Sequence, residues 1–186
     1  MARVRSIPSS ELPPALADVY ERFSGGYGPF RNQVAMLAHV PAALNHLMSM
    51  LMELRQAATL PKRYLELAIV AVSKLNECDY CVTHHKPFLV PEGISPAGVD
   101  RVLDYQDHPE FDAADRLVVE YAIAAWTQPN RLHDSLFTRL REHFSEAQIV
   151  ELTLRITLCG FFNKFNDALQ IEEEPEAMDR AAGLER

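Results

Sequence analysis

The chain has little of several things that commonly decide function. No stretch reaches the roughly 18 uninterrupted apolar residues of a membrane-spanning helix, and Met1 to Pro14 carry Arg3 and Arg5 but no apolar run of a signal peptide. A cytoplasmic protein with no membrane partner is therefore expected. Basic charge is scarce: 18 Lys and Arg are scattered among 26 Asp and Glu, for a net charge of -8, which argues against nucleic acid as a partner. Three cysteines, an odd number without an export signal, do not make a disulfide framework. In a reducing compartment a Cys-x-x-Cys pair is more often catalytic or metal-binding.

Strand signals are also missing. β-branched alternation is nearly absent, and apolar residues recur at spacings of three and four, so the chain reads as all-α. At 186 residues, 48% of them hydrophobic, it is long enough to bury one sizeable core, and a single domain spanning residues 1–186 is expected. The spacing predicts a short helix opening at Pro13 and Pro14 and ended by Gly25, Gly26 and Gly28, with a turn over residues 25–32. Further helices are predicted from about Pro41 to Ala58, Pro61 to Leu75, Cys78 to Leu89, Ser95 to Tyr105, Ala113 to Thr127, Asp134 to His143 and Ser145 to about Leu169. Ser145 with Gln148 is a capping-box pattern, Gly160 is a candidate break in the last helix, and the acidic tail from about 172 is expected to fray. Met36, Met48, Met50 and Met52 read as ordinary core or interface filler.

Chemistry concentrates in one place, the helix pair at about residues 61–90. Cys78 and Cys81 are three apart, His85 follows Cys81 by four, and Glu66 precedes Cys78 by twelve. On a helix both sulfurs and the imidazole then share one face, while the adjacent His84 points about 100° away. The thiolate is the reactive form, so a working cysteine needs its pKa lowered. The helix N-terminus favours Cys78 for that role and His85 favours Cys81. Glu66, flanked by Leu65, Leu67, Ile69 and Val70, either orients His85 and moves a proton or pairs with Lys62 on a polar stripe. Zinc is the alternative use of the pair. The other donors, His85, His39, His46 and Cys159, include no second Cys-x-x-Cys, and Cys159 reads as a small core residue.

Glu66 followed by Cys78-Asp-Tyr-Cys81-Val-Thr-His-His85 resembles the alkyl hydroperoxidase D-like branch of the carboxymuconolactone decarboxylase superfamily. The resemblance extends to Phe30 through Ala43, to the Glu66 helix and to Phe144 through Leu169. It implies an all-helical fold in a symmetric homo-oligomer (a dimer, trimer or hexamer) with the site near a subunit interface. It also implies an antioxidant peroxidase that needs no cofactor, neither haem nor metal. Cys81 would attack the peroxide substrate, Cys78 would resolve the resulting sulfenic acid as a disulfide, and His85 with Glu66 would move protons. The reductant, a protein or a small thiol, is not named by the sequence. Tyr80 stands where well-known members carry a second histidine, so the family's fuller proton relay is incomplete here. The superfamily's decarboxylase branch acts on a lactone acid without such a cysteine pair, and its substrate would call for convergent groups such as Arg31, His39 and His46. Lactone decarboxylation and a non-enzymatic, zinc-binding or redox-sensing oligomer are the alternative functions.

Overall fold

The computed structural model describes residues 2–183, and among these no strand occurs. Ten α-helices follow one another: α1 (Pro14–Gly26), α2 (Arg31–Leu37), α3 (Pro41–Ala57), α4 (Lys62–Leu75), α5 (Asp79–Leu89), α6 (Pro96–Asp100), α7 (Ala113–Thr127), α8 (Asp134–Arg141), α9 (Glu146–Leu169) and α10 (Pro175–Gly183). Proline opens α1, α3 and α6, where its missing N–H costs nothing. The Ser145/Gln148 capping box opens α9 as its spacing predicts, and a second box, Asp112 with Asp115, opens α7.

α4 lies at the centre because nearly every side chain along it is apolar, with residues 66–73 all buried. One face packs with α7, α8 and the first half of α9, bringing Leu67, Val70, Val118, Leu140, Leu152 and Ile156 into one apolar cluster. Each such side chain contributes about 1.5–3 kcal/mol by leaving water. A second cluster joins α1, α2 and α3 to Cys78, Tyr80, Cys81 and Phe162. The thiols therefore sit at the boundary between the two, where α4, α5 and α9 meet.

Four details depart from the sequence expectations. α1 continues through Gly25 to Gly26, and α2 already begins at Arg31, inside the turn expected over residues 25–32. The predicted Ser95–Tyr105 helix is a short α6 followed by a 3-10 turn over Val102–Asp107. Gly160 does not break α9, which runs uninterrupted to Leu169. Its function is steric: a Cβ there would overlap the Trp126 ring. The segment expected to fray instead enters α10, with Glu174 and Ala177 buried. Glu174 accepts hydrogen bonds from the Asn32 amide (2.6 Å) and the Tyr80 hydroxyl (3.1 Å) and pairs with His84 Nε2 (2.6 Å). These partners lie far away in sequence, so local composition cannot show them.

Candidate functional site

The link from α4 to α5 sets the geometry. Glu77 adopts a left-handed conformation, φ 56°, which is uncommon for a residue with a Cβ. It reverses the chain so that Cys78, capping α5, donates its amide to the Ser73 carbonyl at 3.0 Å. Cys81 follows in the first turn. The two sulfurs stand 3.0 Å apart as free thiols, beyond the ~2.05 Å of a covalent bond and close enough to form one by a small movement.

From α9, Asn166 donates its side-chain amide to the Cys81 sulfur at 3.3 Å, and Gln33 donates to the Asn166 oxygen at 3.0 Å, fixing which end of that amide faces sulfur. Asn163 is held by Asn76 (2.8 Å) and by Ser73 (3.2 Å), and Asn76 in turn accepts from the Trp126 indole at 2.8 Å. The Gly160–Trp126 packing is thereby tied to the thiols through Asn76 and Asn163.

Glu66 of α4 reaches His85 of α5, Oε2 to Nδ1, at 2.7 Å. Lys62, the alternative partner, lies over the Phe88 ring at 4.9 Å. Among the described residues His85 Nε2 has no hydrogen-bond partner, and both His85 and Cys81 line a cavity of about 50 Å³ whose other walls include Phe23, Phe30, Leu158 and Phe162. The four residues marked by spacing thus lie together. His84 faces elsewhere, toward Glu174, Tyr80 and Pro29.

The electrostatics separate the thiols. Cys81 is lowered to about 7, chiefly because Cys78 donates its S–H to it. Burial opposes this, and the His85 charge with the Asn163 and Asn166 amides supports it. Cys78 is raised, first because its proton is held between the sulfurs and then by burial. Burial alone would lower His85, but the Glu66 carboxylate outweighs it by charge and hydrogen bond, so His85 is raised. Cys159, buried nearby, is pushed up to about 12, because desolvation and the Cys81 charge outweigh its hydrogen bonds with Ser73 and Asn163.

Tyr80 points away from the sulfurs. Its hydroxyl donates to Glu174, its ring stacks on His84 with centroids 4.1 Å apart, and burial raises its pKa. Tyr80 thus serves a structural contact with Glu174 and His84. His39 meets the Arg5 carbonyl at 2.7 Å and Arg31 approaches Glu176 at 3.9 Å, so these two serve surface contacts instead of converging with the thiols. Among the described residues no group of three or more His, Cys, Asp or Glu is placed to hold a metal ion.

Sequence reasoning missed Gln33, Asn163, Asn166 and Arg155. The last had a visible signal, a cation inside the apolar run of α9, where it is 3% exposed. The amides had none, because each acts through a partner far away in the chain.

The carboxymuconolactone decarboxylase family model matches residues 41–124. The uncharacterized protein YnjA of Escherichia coli (strain K12) is 31% identical over 105 residues, which are 56% of this chain and 58% of YnjA. The match thus spans little more than half of that relative. In fold, the chain resembles the alkylhydroperoxidase AhpD core of an uncharacterized peroxidase-related protein from Ralstonia eutropha JMP134, with a TM-score of 0.77, 20% identity and coverage of 97% and 96% of the two chains. It also resembles the debrominase Bmp8, with a TM-score of 0.72 and 19% identity over 92% of each chain. No helix among the described residues is long and apolar enough to cross a membrane. With a family match over α3 to α7 and a shared fold over nearly its whole length, the chain is similar to the carboxymuconolactone decarboxylase family and has the all-helical fold of the AhpD-like proteins.

Proposed function

We propose that this protein is a thiol-dependent hydroperoxide reductase. The observation that carries the reading is the 3.0 Å dithiol at an apolar cavity, with Cys81 lowered to about 7 beside the Glu66–His85 pair. At pH 7 about half of such a thiol is ionised, against roughly 3% of a free cysteine. Cys78 stays protonated and serves as the partner.

In the proposed cycle the Cys81 thiolate attacks the terminal oxygen of a hydroperoxide. The O–O bond breaks, Cys81 becomes a sulfenic acid, and the departing alkoxide takes a proton from His85 to leave as an alcohol. The Cys78 thiol then displaces water from the sulfenic acid, giving the disulfide. Glu66 holds Nδ1 of His85, leaving Nε2 to transfer the proton. Two electrons and two protons from an external dithiol or two small thiols restore the pair.

The likeness to Bmp8, solved with 2,3,4-tribromopyrrole, supplies a second substrate class for the same thiolate, and the aromatic cavity walls favour including it. Stopped-flow mixing with hydrogen peroxide, cumene hydroperoxide and tribromopyrrole separates the two. The proposal expects fast peroxide consumption that disappears in Cys81→Ser, and a dimedone-trappable sulfenate in Cys78→Ser. Peroxide consumption unchanged in Cys81→Ser, or bromide release without peroxide turnover, would overturn it.

A further inference from the structure

Arg155 is a buried cation that the proposed cycle does not use. It sits in the apolar run of α9 at 3% exposure, a position that needs full pairing to offset the loss of water. Its pairing is incomplete. Glu151 lies 3.6 Å from Nε, beyond hydrogen-bond distance, and Nη1 reaches the Tyr27 hydroxyl at 3.3 Å. Among the described residues Nε itself has no hydrogen-bond acceptor.

The same side chain borders two voids. One is the 50 Å³ cavity with Cys81 and His85. The other, about 280 Å³, is lined by Tyr27, Arg55, Lys62, Glu66, Phe88 and Glu151 among others. Arg155 and Tyr27 belong to both linings, so they form the wall between them. In a protein of net charge -8, the larger void has three cations, Arg55, Lys62 and Arg155, against two carboxylates, Glu66 paired with His85 and Glu151 in a 3.6 Å ion pair with Arg155. The local balance favours an anion. A planar guanidinium with unused donors suits a planar, bidentate acceptor.

We infer that Arg155 is a substrate-binding residue that holds the carboxylate of an organic acid in the larger void, with the reacting end directed past Tyr27 toward Cys81. The inference rests on the hydroperoxide-reductase reading and names its substrate class: hydroperoxides that carry a carboxylate. Arg155 trades its weak Tyr27 contact for two charge-assisted hydrogen bonds, and the apolar body of the substrate lies against Phe88 and Leu65.

The test uses the reduced full chain and two kinds of probe. Calorimetric titration with benzoate measures the carboxylate site without any turnover. Wild type should bind it, Arg155→Lys should bind about tenfold more weakly because the fork is lost, and Arg155→Gln should lose binding. The rate of Cys81 oxidation by cumene hydroperoxide, compared with its ring-carboxylated analogue, measures the consequence. Wild type should prefer the acid by roughly ten- to a hundredfold, the size expected of charge-assisted hydrogen bonds, and Arg155→Lys should retain only part of that preference.

Benzoate binding that depends on Arg155, with neither peroxide reduced, would support the carboxylate site and overturn the peroxidase reading. Reduction of both peroxides at equal rates, with no benzoate binding, would overturn the site and leave the peroxidase reading intact. Should Arg155→Gln fail to fold, the wild-type titration and the wild-type preference still decide.

Discussion

His84 and His85 are neighbours on α5, and each meets a buried glutamate, yet the surroundings give them different work. His84 has acceptors at both nitrogens: the Tyr80 carbonyl at 2.6 Å from Nδ1, and the Pro29 carbonyl (2.8 Å) and Glu174 (2.6 Å) at Nε2. Neither nitrogen is left to transfer a proton, and the ring is clamped between Phe30 and Tyr80. His85 has Glu66 at Nδ1 and, among the described residues, no hydrogen-bond partner at Nε2, beside the thiol cavity. A buried His–Glu pair is therefore a fastener or a proton carrier according to what meets the second nitrogen.

Exchanging the two roles breaks the comparison most sharply. His85→Gln should slow Cys81 oxidation by about 10²–10³-fold, the usual worth of a positioned general acid or base, while moving the melting transition little. His84→Gln should do the reverse. Leaving Glu174 buried without its imidazole costs about 3–5 kcal/mol if the carboxylate stays charged, measured by urea unfolding, with oxidation rates near those of wild type.

Glu174→Gln attacks the same clamp from the other side. It keeps the shape and removes the charge, so a loss of about 1–3 kcal/mol is expected. Hydrogen exchange should then rise along α10 and not along α4; equal protection throughout would show that the clamp does not hold α10. Gly160→Ala should cost about 1–3 kcal/mol by overpacking against Trp126. Because Trp126 reaches Asn163 through Asn76, Cys81 reactivity should shift as well.

The smallest effect concerns pH. Cys81 is lowered to about 7, so the oxidation rate should rise with pH through about 7, as the proton leaves, and fall again at higher pH once His85 loses the proton it gives to the alkoxide. Glu66→Gln removes the carboxylate that raises His85. The imidazole then carries less charge near neutrality and supports the thiolate less, so the acid limb should move to higher pH by less than about one unit. A limb that stays in place would mean that Glu66 has no electrostatic reach to the sulfur.

This division was half legible in the sequence. Helical spacing alone put Cys78, Cys81 and His85 on one face and turned His84 away, because those relations are local to α5. Proline positions and the Ser145 cap likewise located α3 and α9. The fastener was hidden, since Glu174 lies 90 residues from His84 in a segment whose acidity reads as solvated. Gly160 misled for the same reason: its effect on helix propensity is local, but the Trp126 ring that requires a glycine comes from α7. Glu66 fell between these cases. Its apolar flanks announced burial, but whether it faced Lys62 or His85 depended on how α4 packs against α5.

The central claim is that one thiol of the pair ionises near neutrality while the other keeps its proton. Ultraviolet titration of the reduced protein tests this directly. The account predicts one thiolate appearing with a midpoint near pH 7, absent in Cys81→Ser. A first midpoint at or above the ~8.5 of free cysteine, or a transition near pH 7 that survives in Cys81→Ser, would contradict it.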